Sequence, residues 1–286
     1  MLSCHGDNSQ GFTIWGNWGP FAAANYNMGW HSKGGHDRTF GTNAKAWDWC
    51  SVNNAGFEYY QNAKKDGIGL PPHNPRIWVF RHQSNASCAS RLRRVWHPIG
   101  YSSNSGWSNF FINITAGRLL TYTNTLLKFA LPDIVIGTGG GYNTYDIYES
   151  VNHELSHASH FNKVGSAFWA KYVNYIITYG KKYDHPYGDA SCNNSGFCGV
   201  GEMWGYAMGY IRTYEKYQQK PKNGQSKWFQ PNLLYDLMTE KILTKKQIFD
   251  CLSSDVTSHA LLKQKMISRY PSKKDSIIAK FSRYGF

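Results

Sequence analysis

The stretch VNHELSHASH, Val151 to His160, places three histidines and a glutamate within ten residues of a 286-residue chain. The same stretch carries an apolar stripe. Ile147, Val151, Leu155 and Ala158 recur at helical spacing, and His153 and His157 point nearly the opposite way. This predicts a helix from about Tyr145 to Asn162, with one side in a core and the histidines turned toward a cleft. Whatever the fold, it must cover the stripe and keep room beside the imidazoles.

His153-Glu154-Leu155-Ser156-His157 reads HExxH. Histidines at i and i+4 leave a helix on one face, close enough for both imidazoles to meet one zinc ion, and the intervening glutamate points at water there. The bland alternative is a solvated histidine face. A catalytic zinc needs a third protein ligand and one open position. His160 lies on nearly the same face, but about 10 Å of helical rise separates it from His153, too far for three imidazoles to share one ion. It is expected to shape the cleft wall or to meet a substrate or a group that orients a ligand. Few glutamates follow, and Glu202 in GVGEMWGYAMGY is the candidate. Gly201, Gly205 and Gly209 recur every fourth residue there, a costly choice inside a helix at about 1 kcal/mol each relative to Ala. Such a stripe lets a helix approach another closely, as a short carboxylate must to reach a metal held elsewhere. The competing reading is a Gly-rich loop with a solvated Glu202.

Elsewhere the pattern is mixed. Cys4 to about Thr42 is Gly-, Asn- and Trp-rich and reads as strands and loops. Ala46, Trp49, Val52, Phe57, Tyr60 and Ala63 suggest a helix from Asn43 to Lys65, stopped by Asp66-Gly67. Arg76 to His82 and Asp133 to Gly137 read as strands. The glycines of GTGGGY after the second strand fail the dinucleotide fingerprint, because Tyr142 stands where its third glycine belongs, and no P-loop lysine follows. Helices are predicted at Ser166 to Tyr179 and from about Gly201 to Tyr217, with helical pieces beyond. Strands first and helices later indicate an α+β protein.

Six cysteines include no CxxC pair, which argues against a zinc ribbon. Cys192 and Cys198 bracket a short polar loop and are the candidate disulfide, two unrelated thiols being the alternative. The start MLSC resembles the end of a bacterial lipobox, in which Cys4 would carry a lipid, although the regions that should precede it are missing. Eleven Trp, 20 Tyr and 15 Phe with few charged residues describe the kind of surface common outside the cytoplasm. A net charge of +13 favours anionic partners, but it gathers in Arg91 to Arg94, Lys181-Lys182 and the tail after Lys241 without a nucleic-acid motif, so no nucleic acid is expected.

From Asp133 to about Tyr217 the chain resembles a zincin-fold zinc metallopeptidase of the gluzincin kind, and it is similar to secreted or lipid-anchored zincin-like proteins of Bacteroidetes. The metzincin pattern is excluded, because His160 and Lys163 occupy its glycine and third histidine positions. The resemblance implies a strand along the cleft edge, the HExxH helix as its floor and a helical subdomain bringing Glu202. It divides the chain into an N-terminal segment, 1–42, and a catalytic domain, 43–286, whose upper subdomain ends near 162 and whose helical lower subdomain is 163–286. It implies peptide hydrolysis on zinc held by His153, His157 and Glu202, with Glu154 as general base. Tyr206 stands where thermolysin-like members keep an Asp after the ligand glutamate. Tyr206, or a residue within His185 to Tyr187, is the candidate oxyanion donor. Glu149 and Asp146 are near enough to orient His153, or are simply helix N-terminal charges. The rival expectation is an extracytoplasmic glycan- or protein-binding module whose zinc is structural or inactive, with WGNWGPF and MGWH as stacking platforms.

Overall fold

Residues 76–80 alternate as a half-buried strand does: Ile77 and Val79 are buried, while Arg76, Trp78 and Phe80 are partly exposed. The computed structural model of the chain describes residues 11–15, 39–81, 133–139, 141–180, 187–221 and 227–286. Cys4, the stretch 16–38, Cys88, Arg91 to Arg94, Lys181, Lys182 and His185 lie outside the described residues. Strands β1 (Thr13–Trp15), β2 (Arg76–Phe80) and β3 (Ile134–Gly137) form a parallel sheet in that order. Its register aligns Ile14 with Ile77 and Ile77 with Ile134, which gathers their side chains on one face. Parallel neighbours cannot be joined by a hairpin, and helix α1 (Lys45–Asp66) lies in the connection from β1 to β2.

Helix α1 ends where predicted. Gly67 adopts φ 68° and its N–H reaches back to Ala63 and Lys64. Its buried stripe runs through Trp49, Val52, Ala55, Tyr59 and Ala63, and Phe57, counted with the apolar pattern in the sequence, is 46% exposed because it falls off that stripe. Helix α2 (Thr144–Val164) opens with a reciprocal cap: Asp146 N–H donates to Asn143 Oδ1, and Asn143 N–H donates to Asp146 Oδ2, both at 3.1 Å. Helix α3 (Ser166–Tyr175) widens into a π-type turn at Ile176–Gly180 instead of continuing as one α-helix to Tyr179. Helix α4 (Ser195–Tyr217) starts about six residues earlier than its sequence suggests. Asn193 and Asn194 form the exposed turn before it, while Gly196 and Gly199, which read as loop residues, are held in the helix by close packing on Thr257 and on Trp228 and His259. Helices α5 (Asn232–Thr239), α6 (Lys245–Cys251), α7 (His259–Arg269) and α8 (Lys274–Arg283) complete the chain.

A small sheet, a site-bearing helix and a helical C-terminal part make the α+β, zincin-like arrangement expected from the sequence. One apolar cluster joins Ile14, Ile77 and Ile136 of the sheet to Val52 of α1, Val151 and Leu155 of α2, Met203 of α4 and Phe281 of α8. A second gathers Phe168, Trp169 and Tyr172 of α3 with Phe197 and Cys198 of α4. The most extensive helix pair is α2 against α4. Within it the Trp204 indole N–H donates to the Ser156 carbonyl at 3.2 Å, and the Tyr59 hydroxyl from α1 bonds the Ser159 hydroxyl at 2.7 Å. Buried Arg212 near the end of α4 pairs with Asp66 at 2.6 Å, tying α4 to the end of α1. No helix among the described residues is long and apolar enough to cross a membrane.

At the start of α7, the His259 ring stacks on Phe286 with centroids 4.0 Å apart, and burial holds its pKa down at about 4, against a smaller upward pull from the Gly199 backbone. The unfolded chain takes up this proton near pH 6.5 and the folded one only near 4, so the stability it contributes is complete above pH 6.5 and is lost on acidification toward 4. Unfolding free energy from urea titrations should drop by about 2 kcal/mol between pH 7 and pH 5 on this account. The drop should shrink by that amount in His259→Leu.

Candidate metal centre

Ten consecutive residues of α2, Val151 to His160, are buried. Sequence amphipathicity therefore separates two buried faces and not a buried one from a wet one. The apolar stripe meets the sheet-side core, and His153 and His157 lie under α4. Asn152 Nδ2 and Ser156 Oγ donate within the helix to the Tyr148 and Asn152 carbonyls at 2.8 and 2.6 Å, while Asn152 Oδ1 is buried without a hydrogen bond.

The two imidazoles converge, with Nε2 atoms 2.9 Å apart. From the facing helix, Glu202 places Oε2 3.6 Å from His153 Nε2 and Oε1 3.5 Å from His157 Nε2. Glu154 Oε1 lies 3.8 Å from His153 Nε2. His153, Glu154 and His157 form a buried group able to offer donor atoms to one metal ion. A tetrahedral zinc with bonds of about 2.0–2.1 Å sets its donor atoms roughly 3.3 Å apart. The separations among His153, His157 and Glu202 bracket that spacing. Exposure is 8% for His153, 3% for Glu154 and Glu202 and 1% for His157, so the approach is from the His153 side.

The charge states suit a cation. Burial, and then the neighbouring His157, pushes the His153 pKa down to about 3, which leaves its ring neutral near pH 7 with a lone pair to give. The Glu202 carboxyl is raised by burial but pulled further down by His157, His153 and a hydrogen bond from Tyr172, and so stays ionised. Its Oε1 accepts the Tyr172 hydroxyl, while Oε2 is buried without a hydrogen bond. Leaving a buried carboxylate oxygen without a donor costs on the order of 1–3 kcal/mol or more. A divalent ion between that oxygen and the two imidazoles removes the cost, so these residues fit a metal.

Tyr206 packs its ring edge-on against His153, with centroids 4.3 Å apart, and its hydroxyl meets that of Tyr187 at 2.6 Å. His160 is fully buried between Phe168 and Trp169, so it belongs to the packing under α3 and not to a cleft wall. Glu149 makes no hydrogen bond to His153 Nδ1; its carboxylate acts on Tyr145 and Tyr210, because it leaves α2 on the side facing those rings. Asp146 serves as the cap of α2. No disulfide joins Cys192 and Cys198: the Cys198 thiol is free and buried in the α3–α4 packing, where burial raises its pKa. The sequence reading missed Tyr172. It sits in an apolar helical pattern with Phe168, Trp169 and Val173, and only its hydroxyl, which needs a partner once buried, separates it from a core aromatic.

The glycine stripe does what its spacing suggests, unevenly. A Cβ at Gly205 would lie 2.6 and 2.7 Å from His157 Cε1 and Nε2, and one at Gly209 would lie 3.1 Å from the Glu149 carbonyl. A Cβ at Gly201 would meet only the Tyr172 ring, at 3.4 Å, an ordinary contact. Gly205→Ala should therefore lower stability by about 2 kcal/mol and cost most of the bound metal. Gly201→Ala should be neutral or stabilising by up to about 1 kcal/mol from helix propensity. Thermal melts and metal content after dialysis compare the two, and equal behaviour would show that Gly205 does not govern the approach.

No protein-family model, curated protein or solved structure matches this chain at a significant level. A buried HExxH helix and a facing glutamate make a hydrolytic site able to hold a metal ion, with Glu154 as its general base.

Proposed function

We propose that the chain is a zinc-dependent metallopeptidase in which His153, His157 and Glu202 hold the ion and Glu154 is the general base. The observation that carries it is the Glu202 carboxylate facing both Nε2 atoms from a second helix, with Glu154 beside them. Two imidazoles and a carboxylate suit zinc, and a structural zinc would claim a fourth protein ligand. When bound, zinc supplies a Lewis acid that lowers the pKa of water toward 7 and polarises a carbonyl. Glu154 then accepts the proton of the attacking water on its carboxylate and delivers it to the leaving amine nitrogen. Burial, and then Glu202, raises the Tyr206 and Tyr187 pKa values, so both phenols keep their protons. The proposed oxyanion donor is Tyr206, whose ring packs against His153 and whose hydroxyl meets that of Tyr187. Tyr172 holds Glu202 in its orientation from α3.

A peptide as substrate is supported by this acid–base set and by the resemblance noted in the sequence. An extracytoplasmic setting is supported by the aromatic, charge-poor composition.

Glu154→Gln should keep stoichiometric zinc and lose turnover by about a hundredfold or more, measured on a peptide library with metal content determined in parallel. Glu202→Ala should lose zinc on dialysis; unchanged zinc would sink the assignment of the third ligand. Zinc-loaded wild type that cleaves nothing would favour the surface-binding reading. Tyr172→Phe should retain the fold and weaken zinc binding by about tenfold, read from competition with a chromogenic chelator.

A further inference from the structure

Lys227 is a half-buried ammonium held by aromatic rings. Its Nζ lies 4.5 Å from the Tyr206 ring centroid, 4.9 Å from that of Tyr187 and 5.9 Å from that of Phe229. Among the described residues no carboxylate lies within ion-pair distance of it, and Glu202 is the one carboxylate that acts on it electrostatically. Tyr206 in turn packs edge-on against His153, the most exposed of the four central residues. Those two contacts put the ammonium within about 9 Å of the His153 ring, the span of roughly two to three extended residues.

Among the described residues this cation has no carboxylate of its own. The Glu202 carboxylate that acts on it faces the two imidazole nitrogens, where a bound divalent ion would satisfy it. Lys227 is then a surplus positive charge on the open side, partly stripped of water, with its position fixed by ring contacts worth about 0.5–1 kcal/mol each. An anion arriving with a substrate finds a partner already in place, and a neutral substrate leaves a desolvated ammonium without one. Ring contacts alone give no reason for a lysine at this point, since an apolar side chain packs against three rings without the desolvation cost.

We infer that Lys227 is a substrate-binding residue that selects peptides presenting a carboxylate next to the scissile bond. This rests on the metallopeptidase reading and names its substrate class. The carboxylate has two possible sources with the same chemistry, the C-terminal group of the substrate or an acidic side chain. A free C-terminus would make the enzyme a carboxypeptidase, and an acidic side chain would make it an endopeptidase.

Three short peptidyl hydroxamates, which bind zinc through the hydroxamate, test it on the zinc-loaded full chain by titration calorimetry. The first has a free C-terminal carboxylate, the second is its C-terminal amide, and the third is that amide with Asp replacing Asn beside the hydroxamate. At least one carboxylate probe should bind about tenfold or more tighter than the neutral amide, and which one does identifies the source. The preference should persist in Lys227→Arg and fall to within about twofold in Lys227→Gln, with zinc content and melting temperature confirming that both variants fold. Equal affinities in wild type, or a preference that survives Lys227→Gln, would overturn the inference. Hydroxamate binding without charge preference leaves the zinc site standing and removes only the role of Lys227. A purified protein that takes up no stoichiometric zinc overturns the metallopeptidase reading, and the inference with it.

Discussion

The distance between α2 and α4 governs everything at the centre of this protein. Two helices bearing ordinary side chains at their contact pack 8–10 Å apart between axes, and a glutamate on one reaches a metal on the other only if the contact is thinned. Gly205 and Gly209 thin it, and the histidine rings and the Glu149 carbonyl fill the space a Cβ would need. Five glycines inside α4 oppose helix formation, and packing offsets them: Met203, Trp204, Ala207 and Met208 are fully buried, and Arg212 is held by Asp66. The close approach and the core are thus one construction.

Sequence pattern made α1, α2, β2 and β3 legible, because the helices and β2 repeat apolar residues at a fixed period and β3 is a short continuous apolar run. The HExxH spacing located His153, Glu154 and His157, and the fourfold glycine period led to Glu202 from a physical cost with no local compensation. The rest was hidden for particular reasons. The first turns of α4 are written in residues that favour loops, and only contact with the rest of the fold makes them helical. Tyr172 reads as one more core aromatic in a chain with 20 tyrosines. Lys227 lies in a polar stretch, KNGQSKWF, with nothing local to separate it from a solvated lysine; its meaning comes from Tyr187 and Tyr206, which are distant in sequence.

Amphipathicity turned out to carry a different message from the usual one. On α2 the polar face is as buried as the apolar one, so the pattern distinguishes a face that wants hydrocarbon from a face that wants ligands. Ser156 and the Asn152 amide nitrogen bond the helix backbone, and Ser159 pairs with Tyr59. The imidazole nitrogens are left to offer their lone pairs to whatever lies between them and Glu202. A dry site of this kind strengthens every electrostatic interaction inside it, which favours pulling a proton from water and penalises any missing partner.

The groups proposed to hold the ion come from two helices and lie about 45–50 residues apart, a span that includes α3. An ion shared between them would act as a removable cross-link, restricting the unfolded ensemble much as a covalent bridge would, by an amount that grows only slowly with the length enclosed. The structure contains no covalent bridge between Cys192 and Cys198 within that same span. Resistance to unfolding in this part of the molecule is therefore coupled to occupancy of the centre, and a chelator would act on the chain's endurance as well as on its chemistry.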